Sequence, residues 1–164
     1  MKRLILLLCF GILCSIAGYS PQISNEQRQA YIYEAKKYMF YNEVFDKPFS
    51  PELLKQALFF EGIKSPEIVF IQAQIETGYF KSDLFLNANN LFGMRYPRIR
   101  DTYASGIYKH HAYYKSWLSC VKDYALWQKH YAEKGYDLDS YLIFLGEIGY
   151  ATNKKYVKLI KEMS

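Results

Sequence analysis

Cysteine is scarce in this chain, and its placement excludes a disulfide-built fold. Of three cysteines in 164 residues, Cys9 and Cys14 fall in the apolar N-terminal run, and only Cys120 lies beyond it. A domain left with one cysteine has no internal disulfide and must hold by packing alone. Cys120 stands among Leu118 and Val121, which reads as a small buried hydrophobe rather than a nucleophile. No glycine-rich phosphate loop occurs, and no dense Lys/Arg run, so nucleotide and nucleic-acid partners are not expected. His110 and His111 are adjacent and would point to opposite faces of a strand, with no Cys or acid at a ligand spacing. Neither a metal nor a cofactor is therefore expected. Long hydrophobic runs are missing too: Leu4 to Ile16 falls short of the roughly 20 residues that span a bilayer.

What that run does resemble is a secretory signal. Lys2 and Arg3 precede it, and Ser15 and Ala17 supply small residues at a cleavage site, so residues 1–17 read as a signal peptide and 18–164 as one exported domain. Lipidation is disfavoured, because Leu8 and Leu13, the residues before Cys9 and Cys14, are large. Loss of Lys2 and Arg3 lowers the formal charge from +5 to +3, a mild surplus suited to anionic surroundings such as a cell wall. Aromatics are abundant at 18%, with 17 Tyr. Tyrosine's amphipathic ring suits half-wet surfaces where sugars lie flat, although most such rings serve as core.

The pattern along the chain is mainly helical. Ser24 with Gln27 forms a capping box for a helix to about Tyr41, with Tyr31, Ala35, Tyr38 and Met39 as its buried stripe. Ser50-Pro-Glu52 and Ser65-Pro-Glu67 each place a hydroxyl at the N-cap, proline at N1 and an acid in the first turn. They predict helices over 51–60 and 66–77, closed by Gly62 and Gly78. Asn87 to Asn90 reads as a loop, Ile107 to Tyr113 as a small hairpin, and Ser116 as the cap of a long helix ended by Gly135. Helices over about 139–146 and 154–163 follow, giving a mainly α fold with a small β-hairpin lobe.

One carboxylate stands out. In "IQAQIETG" Glu76 occupies the last turn of an apolar helix, with Val69, Gln72 and Ala73 on its face and Ile68, Ile71 and Ile75 pointing elsewhere. That face is expected to leave the core. The helix dipole disfavours the ionised form there by about 0.3–1 kcal/mol, and apolar neighbours act in the same sense. A carboxyl that keeps its proton near neutral pH is what glycosidic cleavage needs, since the leaving oxygen must be protonated.

The stretch "IQAQIETGYFKSDLFLNANNLFGMRYP" resembles the signature of the endo-β-N-acetylglucosaminidases of glycoside hydrolase family 73, which cut peptidoglycan. Its matching pieces are Ala73, Glu76, Thr77, Gly78, Lys81, Ser82 and Asn89 to Gly93. "YYKSWLSCVKDYALWQ" and "GYATNKKYVKLI" resemble the family's aromatic-Ser helix and its Tyr-Ala-Thr-Asp-x-x-Tyr element. The resemblance runs from about residue 50 to the end and implies a lysozyme-like fold acting on peptidoglycan glycan strands. It implies Glu76 as general acid and Tyr150 across the cleft, orienting water or the acetamido group. Asn90 and Phe92 would line the sugar site, joined by Gln72, Tyr96 and Tyr156. Many members carry a second acid in the β-lobe; between Gly93 and Ser116 this chain offers only Asp101, at a turn. Asn153 replaces the family's usual Asp. The alternatives are transglycosylase-like cleavage with one acid, or a secreted glycan-binding protein without turnover. A monomer in the periplasm or at the cell surface is expected.

Overall fold

Serine at a helix start recurs along this chain, and most of these serines cap as the sequence pattern predicts. The computed structural model describes residues 23–44 and 47–150, together with Lys158, Ile160 and Glu162. Contacts cluster in two units, Met1–Pro48 and Phe49–Ser164, a division inside the stretch 18–164 that the sequence reads as one domain. Among the described residues there are six helices and one two-stranded antiparallel sheet, and no helix is long and apolar enough to cross a membrane. The expected signal segment lies outside the described residues.

In the first unit, α1 (Asn25–Val44) opens on the predicted capping box. The Ser24 N–H donates to Gln27 Oε1 at 3.0 Å, and the Gln27 N–H returns to Ser24 Oγ at 3.2 Å. The expected stripe is not the buried one: Tyr31, Tyr38 and Met39 are exposed, and α1 buries Phe40 and Val44 instead. Tyrosine keeps a hydroxyl for water, so a helical period written largely in tyrosine does not define a dry face.

The second unit begins at α2 (Pro51–Phe60), where Ser50 Oγ accepts the Leu53 N–H at 3.2 Å. Next comes α3 (Pro66–Glu76), whose Ser65 does not cap. Its backbone is left-handed at φ +52, because Gln128 holds the preceding residue, bonding both the N–H and the C=O of Lys64. A short α4 (Asp83–Ala88) takes in Asn87 and Ala88, which the sequence reads as loop. Ser82 caps it by accepting the Phe85 N–H, and the left-handed Asn89 ends it.

The lobe is a hairpin, β1 (Gly106–Tyr108) with β2 (His111–Tyr113), in the register Gly106↔Tyr113, Ile107↔Ala112, Tyr108↔His111. Lys109 and His110 form its two-residue turn with φ +44 and +68, so His110 lies in the turn and not on a strand face. Then α5 (Trp117–Glu133) starts at Ser116, which accepts the Ser119 N–H, and α6 (Tyr141–Glu147) follows. Lys158, Ile160 and Glu162 are helical and Ile160 is buried; the rest of the helix expected over 154–163 lies outside the described residues. The core of this unit gathers Leu54, Leu58, Val69, Leu91, Val121 and Phe144, with α2 packed on α3 and α5, and α4 against β2.

Candidate active site

The face of α3 that carries Glu76 turns inward, not outward as the sequence suggests. Val69, Gln72 and Ala73 are fully buried, while of the three isoleucines Ile71 is buried as expected and Ile68 and Ile75 are half-exposed. Gln72 tolerates burial because its Oε1 accepts the Tyr124 hydroxyl at 3.1 Å. Glu76 is the last residue of this buried face and is itself half-buried, so its carboxyl stands where the core meets the surface.

The turn behind it is strained. Gly78, Tyr79 and Phe80 are successive left-handed residues at φ +54, +58 and +65. For each of the two non-glycine residues that conformation costs on the order of 1–3 kcal/mol, and it persists where the surroundings over-determine it. Thr77 does so here: its hydroxyl donates to the Ala73 carbonyl and accepts the Phe80 N–H, and its carbonyl accepts the N–H groups of Lys81 and Ser82. The ring of Phe80 is then held against Phe49, Phe70 and Phe85.

A second turn meets Glu76 from the loop after α4. Asn90 is buried and uses its whole side chain on backbone: Nδ2 donates to the Met94 and Ala112 carbonyls at 2.9 and 2.8 Å, and Oδ1 accepts from Phe92 and Met94. This pins the loop to the hairpin and presents Gly93, at φ +64, to the carboxyl. A Cβ on Gly93 would lie 3.2 Å from Glu76 Oε2. One residue earlier, the Phe92 carbonyl accepts the Tyr150 hydroxyl at 2.8 Å. Glu76 and Tyr150, from segments far apart in sequence, thus converge on the peptide unit Phe92–Gly93.

A sequence profile for glucosaminidase, described as mannosyl-glycoprotein endo-beta-N-acetylglucosaminidase, matches residues 52–164. The chain belongs to the glucosaminidase family. No curated protein and no solved structure matches it. The match takes in Glu76, the Asn90 loop and Tyr150, and it fits the mainly helical, lysozyme-like domain with a small hairpin seen here.

Within this glucosaminidase domain the other expected site residues divide. Gln72, Asn90 and Phe92 shape the wall from inside: the Phe92 ring is 1% exposed and lies 4.2 Å from Tyr124, so it has no face for a sugar. Tyr96 is 42% exposed, three residues beyond Gly93. Tyr156 and Asn153 lie outside the described residues. Asp101 is not brought to the cluster; it lines a separate shallow depression of about 310 Å³ with Ile99, Leu126, Lys129, His130 and Glu133. Those α5 residues point about 100° or more away from Tyr124, which faces Gln72 and Phe92. Among the described residues, no group of three or more His, Cys, Asp or Glu could hold a metal.

Two features escape the sequence reading. Asp123 is fully buried on α5 and pairs with Arg100 at 2.9 Å, while also accepting the Tyr114 hydroxyl and the Tyr103 N–H. Burial pushes its carboxyl up, but the Arg100 guanidinium, Thr102 and the Tyr103 N–H outweigh that and hold it below the usual aspartate range. A lone acid between Val121 and Tyr124 was the available signal. The second is Trp127, half-buried with its ring 5.9 Å from that of Tyr150 and 5.0 Å from that of Tyr124. Cys120 is buried, which pushes its thiol up and keeps it inert.

Proposed function

We propose that this glucosaminidase-family protein is exported and cleaves the β-1,4 bond on the reducing side of N-acetylglucosamine in peptidoglycan, with Glu76 as general acid. The observation that supports it is the approach of the Glu76 carboxyl to Gly93, beside the Phe92 carbonyl that receives the Tyr150 hydroxyl. Glu76 gives its proton to the glycosidic oxygen as the bond to the anomeric carbon breaks and its electron pair passes to that oxygen. Water then adds at the anomeric carbon and returns a proton to the carboxylate. In this reading the Tyr150 hydroxyl, anchored by its donation to the Phe92 carbonyl, is the group that orients the acetamido group or a water.

The position of Asp101 in a separate depression favours chemistry with a single carboxylate. The substrate's own acetamido oxygen can then attack the anomeric carbon, or a sugar hydroxyl can, the latter giving an anhydro product as in lytic transglycosylases. Glu76→Gln keeps the shape of the side chain and removes the proton. It is expected to fold normally and to lower release of reducing ends from purified peptidoglycan by at least about 100-fold, within the range for general-acid loss. Undiminished release would overturn the assignment, and mass spectrometry of wild-type fragments separates reducing from anhydro ends. Export rests on residues 1–17; N-terminal sequencing of the mature protein beginning near Gly18 is the expected result.

A further inference from the structure

Beyond Gly93 the lobe is cationic, and the cleavage chemistry makes no use of that charge. Residues 94–116 carry Arg95, Arg98, Arg100, Lys109 and Lys115 against a single acid, Asp101, so they supply +4 of the chain's formal +5. Two of the five are committed to ion pairs: Arg100 to Asp123 and Lys109 to Asp83, each at 2.9 Å. Like Lys115, Arg95 and Arg98 are not. Both are exposed, and neither makes a hydrogen bond or ion pair among the described residues. Tyr96, 42% exposed, stands between them, followed by Pro97, which keeps it extended.

Placement gives this pair its meaning. Arg95 follows Gly93 by two residues and Arg98 by five, so at roughly 3.3–3.6 Å per residue they lie within about 7 and 18 Å of the glycine that touches Glu76. Both therefore belong to the exposed segment that leads directly away from that glycine. In peptidoglycan the lactyl acid of the glycan is tied up in the amide that carries the stem peptide, so the anionic groups near the strand are the carboxylates of the stems. A guanidinium presents a planar fork that matches a carboxylate, and an aromatic ring between two such forks suits the apolar face of a sugar.

We propose that Arg95 and Arg98 bind stem-peptide carboxylates, with Tyr96 against the glycan, so that the protein selects peptide-bearing wall over neutral N-acetylglucosamine polymer. The inference rests on the peptidoglycan reading of the cleft. Attraction at an exposed rim is screened over about 8 Å at physiological ionic strength, so the selectivity weakens with salt.

The test measures binding by co-sedimentation of the full chain carrying Glu76→Gln, so that its outcome is separate from whether Glu76 drives turnover. Sacculi are freed of phosphodiester polymers with acid and used native or with their carboxyls amidated. Native sacculi are expected to bind about tenfold more tightly than amidated ones, and Arg95→Gln with Arg98→Gln is expected to abolish that ratio and flatten its salt dependence. Lys36→Gln with Lys37→Gln, which removes the same charge from α1, keeps the ratio. Equal binding to native and amidated sacculi, or an arginine effect seen only when phosphodiester polymers are left in place, overturns the proposal.

Discussion

A methyl group at Gly93 would press on Glu76 Oε2 from 3.2 Å, closer than such contacts settle, and the backbone there is left-handed at φ +64. Gly93→Ala therefore separates stability from chemistry: the conformation costs on the order of 1–3 kcal/mol, and displacing the carboxyl by a few tenths of an ångström is expected to lower kcat by roughly tenfold with little change in KM. Steady-state kinetics beside urea unfolding reads both. Asp101→Asn offers the contrast, since that side chain is exposed in its own depression and its loss is expected to leave cleavage of peptidoglycan within twofold and stability within about 0.5 kcal/mol. A loss of activity comparable with that of Glu76→Gln would restore Asp101 as a second catalytic acid. At this scale the sequence singles out Glu76 and Tyr150 but not the work of their neighbours. Gln72 and Asn90 carry groups that can meet a sugar or a backbone equally well, and only the fold, by burying both, decides for Tyr124 and for the Met94 and Ala112 carbonyls.

Between elements, the joint that matters most is the one the pattern of apolar residues could not show. Arg100 and Tyr103 from the lobe and Tyr114 at its end all converge on Asp123 of α5, fixing the wall that carries Gly93 to the helix that carries Tyr124 and Trp127. Asp123→Asn leaves a nearly buried guanidinium without its counter-charge, a loss on the order of 3–5 kcal/mol. The pH dependence follows from the depressed carboxyl. Its stabilising contribution is complete above the unfolded value of about 3.9 and disappears as pH falls through the lower folded value. The urea midpoint of the wild type is thus expected to be level from pH 7 to 5 and to drop below about pH 4, with a shallower drop in Asp123→Asn. Helix starts were legible wherever a serine hydroxyl met a free N–H, as at Ser24, Ser50 and Ser116. Ser65 failed as a cap because a tertiary partner, Gln128, set the backbone before it, and α4 was missed because three asparagines masked a helix that Ser82 and Asp83 announce.

For the molecule as a whole, the boundary between units bears on which part can stand alone. Contacts cluster on either side of Pro48, while the family profile begins at residue 52, and the three residues between are not spare. Phe49 places its ring 4.8 Å from Phe80, 4.8 Å from Phe85 and 5.7 Å from Trp117, and Ser50 caps α2. The ring of Phe80 belongs to the strained turn directly behind Glu76, so Phe49 supports the site as well as the core. A chain starting at Lys47 retains all of these contacts, whereas one starting at Glu52 loses a cap worth about 1 kcal/mol and ring pairs worth about 0.5–1.5 kcal/mol each. The longer fragment is expected to unfold in urea with a single transition and to cleave peptidoglycan. The shorter one is expected to show a lower midpoint at unchanged slope and reduced kcat, because the left-handed run at Tyr79 and Phe80 loses the packing that holds it. Equal midpoints and equal rates for the two fragments would show that Phe49 braces neither the core nor the turn.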